Sequence, residues 1–67
     1  MKTIMRLDEV SDEQFNTIRL RSSSSQTNNV YGFIETLYYL EGLLIGIVLV
    51  DEDENSVVWY SVSRPLE

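Results

Sequence analysis

Sixty-seven residues allow one domain, and a chain of that size buries only about 60% of the surface it exposes when unfolded, so its core is thin. It contains no cysteine and no histidine, which excludes disulfides and thiolate sites and removes the usual residues of zinc binding, general-base catalysis and pH switching near neutrality. A net charge of −6 with five Lys and Arg in total argues against direct nucleic-acid binding, because phosphate backbones are held by cations.

The charge is unevenly spread. Residues 22 to 50 carry only Glu35 and Glu41, whereas Asp51, Glu52, Asp53 and Glu54 stand together as an acidic patch. Met1 to Val10 is charged and has no apolar signal core. The missing cysteines fit a reducing compartment, and the expected location is cytoplasmic.

Taken in chain order, "TIMRL", residues 3 to 7, alternates loosely and predicts a short strand. "VSDEQF" is a helix start. Ser11 and Gln14 have the spacing of a capping box, Val10 and Phe15 that of a hydrophobic staple, and Asp12 and Glu13 suit the positive end of the helix dipole. A helix is predicted from Asp12, with Phe15 and Ile18 on one face; "IRLR", residues 18 to 21, reads equally as helix or strand. Residues 22 to 29 have no apolar side chain and read as a flexible polar loop.

Val30, Phe33, Ile34, Leu37 and Leu40 recur at helical spacing. With Asn28 or Asn29 as cap and Gly42 as stop, they predict a second helix over 29–41. Residues 43–63 then read as a β-hairpin: "LLIGIVLV", the polar connection "DEDENS", and "VVWYSVSR", rich in strand formers. The fold class expected is α+β, a single domain with order β-α-α-β-β and its helices on one face of a short antiparallel sheet.

Val30 to Val50 also has the length of a membrane span. Its aliphatic and Phe residues contribute about −5 kcal/mol on the insertion scale, and two glutamates at about +3 each cancel this. The Gly42 break divides the stretch further. A small single-span membrane protein is therefore the weakest of three readings.

In the first hairpin strand Leu43, Ile45, Ile47 and Leu49 point one way, and Leu44, Gly46, Val48 and Val50 the other. One helical layer covers one face, so an apolar face is left over. Such patches mark interfaces, and two-fold self-association is the simplest cover. A homo-oligomer, most simply a dimer, is expected, with Tyr38, Tyr39, Leu44, Val48, Trp59 and Tyr60 as interface residues.

Asp51, Asp53 and Asn55 open like a calcium loop, but Ser56 replaces the glycine and Val62 the bidentate glutamate. The neighbouring carboxylate pairs have no apolar setting in sequence; Glu35 and Glu41 do, but six residues apart on a helix they face different directions. No catalytic residue, metal site or cofactor is expected. The function expected is a non-enzymatic, self-associating module that binds or inhibits a protein partner, of the kind found among phage or mobile-element accessory proteins. The alternative is an acidic decoy that uses residues 51–54 to block a nucleic-acid-binding surface of another protein.

Overall fold

The computed structural model describes residues 5–63, so Thr3 and Ile4 of the expected first strand lie outside the described residues. The elements are β1 (Arg6–Val10), α1 (Asp12–Arg21), β2 (Ser24–Val30), β3 (Phe33–Leu40), β4 (Leu43–Asp51) and β5 (Ser56–Ser63). All five strands form one sheet in the order β1-β5-β4-β3-β2, every neighbouring pair antiparallel. The expectation of β-α-α-β-β is thereby overturned: the described residues are mostly β, with one short helix. That helix spans 10 residues, and none among the described residues is long and apolar enough to cross a membrane.

The expected second helix fails at two dipeptides. Tyr31 and Gly32 have φ of 47° and 85°, and Glu41 and Gly42 have 51° and 83°. Two consecutive residues with positive φ make the tight hairpin turn that suits the twist of flanking strands. The two turns bracket Phe33–Leu40, which is rich in the β-branched and aromatic residues that favour strands. β3 carries apolar side chains on both of its faces, and that density imitates a 3.6-residue period.

The polar segment read as a loop is largely β2, an edge strand. An edge needs backbone pairing more than burial, and Ser24 to Val30 pairs with Tyr39 to Phe33 throughout. Thr27 and Thr36 share a hydroxyl contact of 3.2 Å across the pair. Ser23 anchors the strand entry: its N–H donates to the Tyr39 carbonyl at 2.7 Å, and its hydroxyl accepts from the Glu41 N–H at 2.9 Å.

The helix begins at Asp12 with a complete capping box. The Gln14 N–H donates to the Ser11 hydroxyl at 3.1 Å, and the Ser11 N–H donates to Gln14 Oε1 at 2.9 Å. "IRLR" is helical to Arg21, where Ser22 turns extended and its hydroxyl donates to the Arg19 carbonyl at 2.8 Å. α1 carries the chain from β1 at one sheet edge to β2 at the other. Ten residues span about 15 Å and five strands about 19 Å, so the helix nearly bridges the sheet.

Phe15 and Val48 of the core lie beneath that crossing, whereas the buried Val62 lies on the other side of the sheet. Phe15 is fully buried, meets Tyr38 edge-on at 5.4 Å between ring centroids, and carries the Arg19 guanidinium 5.2 Å above its ring. A Cβ on Gly46 would lie 2.7 Å from Ile18 Cγ2 and 2.8 Å from the Phe15 ring. The missing side chain of β4 is thus what lets the helix approach.

Two stability measurements check this account. Tyr31 is 97% exposed, so Tyr31→Asn loses no packing and relieves a left-handed conformation that Asn tolerates better; urea unfolding should show a gain of about 0.5–1 kcal/mol. Gly46→Ala should cost about 1–3 kcal/mol by overpacking. Paired with Ile18→Ala, which removes the nearest obstructing atom, the loss should be clearly less than additive.

Candidate interaction surface

Gly46 faces the helix, and cross-strand partners share a face, so the register assigns the rest. On the α1 side lie Tyr38, Thr36 and Ile34 of β3, Val48 and Val50 of β4, and Ser61, Trp59 and Val57 of β5. Arg6, Asp8 and Val10 of β1 join them, with Arg6 and Asp8 ion-paired at 3.1 Å.

The opposite side has no helix or strand over it among the described residues, but Val62 of β5, which its pairing with Leu7 places there, is buried. Phe33, Glu35 and Leu37 of β3 lie beside Ile47, Leu49 and Asp51 of β4. Val58 and Tyr60 of β5 continue the rows, and Leu7 and Glu9 of β1 flank them. Val30, Asn28 and Gln26 close the β2 edge. Phe33, Val30 and Leu7 are largely exposed for apolar side chains. Val30, Phe33, Glu35 and Leu49 line an open depression of about 270 Å3.

Glu35 is half-buried there. It pairs with Leu49 on one side and Asn28 on the other, and its carboxylate makes no hydrogen bond or ion pair among the described residues. Asn28 itself accepts from Gln26 at 3.3 Å.

The six residues expected at an interface divide between the two sides. Tyr60 is on the open face. Tyr38, Val48 and Trp59 are on the helix side, Val48 buried and Tyr38 against Phe15. The indole Nε1 of Trp59 is buried with no acceptor among the described residues. Tyr39 and Leu44 pair with each other past a register irregularity between Tyr38 and Tyr39.

Phe33, Leu37, Ile47, Leu49, Val58 and Glu35 are brought together instead. The signal that could have found them is the alternation of "FIETL" set against "IVL" in an adjacent strand. It was masked by the helical reading of residues 29–41.

The acids at 51–54 form the β4–β5 turn. Asp51 Oδ1 accepts from the Asp53 N–H at 3.0 Å and the Glu54 N–H at 3.2 Å, and Asn55 takes a left-handed φ of 55°. Asp51 is thus the hydrogen-bonding residue of an Asx-type turn. No group of three acidic side chains among the described residues is placed to hold a metal ion.

The chain matches no protein-family model, no curated protein and no solved structure.

The turn assignment separates neighbouring acids. Asp51→Ala should cost about 1–2 kcal/mol in chemical unfolding, the worth of two backbone hydrogen bonds. Asp53→Ser, at an exposed position, should stay within about 0.5 kcal/mol of the parent.

Proposed function

We propose that this chain is a non-catalytic protein-interaction module, working in the cytoplasm, that self-associates through the open face of its sheet and uses the same face to bind or inhibit a protein partner. The observation that carries this reading is a broad apolar sheet face with no covering element among the described residues. Contiguous apolar patches of that kind are uncommon on monomers and mark interfaces. The longer dimensions of the molecule are 39 and 26 Å, enough for the roughly 800 Å2 that each partner contributes to a standard interface. Sheets pack face to face about 10 Å apart with aligned strands, so two open faces can meet around a two-fold axis.

The alternative of an acidic decoy draws less support. A mimic of a phosphate backbone needs charge along a face, whereas Asp51, Glu52, Asp53 and Glu54 sit at one turn, the first of them engaged by that turn.

Sedimentation at micromolar concentration tests the first reading. The parent chain should sediment as a dimer, and Ile47→Lys, which sets a charge in the middle of the open face, should sediment as a folded monomer. Replacing residues 52–54 with Ser should leave the dimer intact. A strictly monomeric parent would remove self-association.

A further inference from the structure

We infer that the partner accepted by the open face is a cation-bearing amphipathic helix, an apolar stripe flanked by Lys or Arg, and that Glu35 selects it. This rests on the reading that the open face is the docking surface.

The first ground is a segregation of charge between the two sides of the sheet. Every charged residue that the register places on the open face is an acid: Glu9, Glu35 and Asp51. All three arginines among the described residues lie in the other layer. Arg6 is on the α1 side of β1 with Asp8, Arg19 pairs with Asp12 at 3.0 Å, and Arg21 ends the helix.

The second ground is the condition of Glu35. Asp51 is occupied by its turn, and Glu9 is exposed on an edge strand. Glu35 is half-buried within the apolar rows, at the wall of the Val30–Phe33–Leu49 depression; unlike the similarly buried Asp51 it accepts no hydrogen bond, and it has no counter-charge among the described residues. A carboxylate covered by a partner must be paired or hydrogen-bonded to avoid a large desolvation cost. Among the described residues a second copy brings an equally acidic face, with no arginine on it to meet Glu35. A basic helix supplies a cation, and a helix is the element that this same sheet already accepts on its other side. The self-pair is then the weaker occupant, displaced by the basic partner.

The test titrates the isotope-labelled full chain with two synthetic helical peptides of equal length and identical leucine stripes. One is flanked by lysines and the other by glutamates. The lysine peptide should bind, with NMR shift changes at Ile47, Leu49 and Tyr60. Its affinity should fall about tenfold in Glu35→Gln, the loss of roughly one charge-assisted contact. It should change less than about twofold in Asp53→Ser/Glu54→Ser, which measures general charge attraction. The glutamate peptide should bind at least about tenfold more weakly.

Equal binding of both peptides, an unchanged affinity in Glu35→Gln, or shifts confined to α1 or the 52–55 turn would overturn the inference. Sedimentation separates this failure from that of the underlying reading. A dimer broken by Ile47→Lys that ignores both peptides removes only the basic partner. A monomer that ignores both removes the docking surface as well. A monomer that binds the lysine peptide keeps the inference and removes self-association.

Discussion

The structure depends on one crossing. The first strand lies at one edge of the sheet and the second at the other, so the chain between them must traverse the whole width. α1 does this in ten residues, and it comes close where β4 lacks a side chain. Gly46 admits Ile18 and Phe15 to the sheet surface. Phe15 is fully buried there, with Tyr38 at its edge and Arg19 over its face. Strand order, helix length and the placement of the core follow from this passage.

The same geometry explains why the sheet is unequal on its two sides. A lone helix covers one side, and that side includes Ser61, Thr36, Asp8 and Arg6. The side that no described element covers is the greasier one in β3 and β4, where Phe33, Leu37, Ile47 and Leu49 adjoin. Side chains left in water forgo roughly 25 cal/mol per Å2. In a domain this small that is comparable to the total stability. The acids on that side work against indiscriminate sticking.

Part of this was legible in the residues. Ser11 and Gln14 announced the helix start because capping chemistry is local and needs no tertiary context. Residues 43–63 were readable as paired strands because β-branched residues and a polar turn agree. The stretch 22–41 was not readable in the same way. Ser24 to Asn29 has no apolar residue and forms a strand only because β3 offers it a ladder. Phe33 to Leu40 is apolar on both faces, which hides a period of two beneath a false period of 3.6. The decisive marks were the two x-Gly dipeptides at 31–32 and 41–42, spaced one strand apart. Glu35 could not be placed in the open face until β3 was known to be a strand. Tyr38 could not be assigned to the helix side until Gly46 was seen beneath Phe15.

Because Arg6 to Val10 pairs with Ser63 to Trp59, the earliest and latest described stretches of the chain are neighbours. The three hairpins from β2 to β5 close through short loops and can zip locally, but β1 must wait for β5 to exist. Contacts so distant along the chain slow folding, since a large loop must be closed before they form. On the ribosome, the sheet therefore stays two strands short, without β5 and the β1 that pairs with it, until synthesis has passed Ser63.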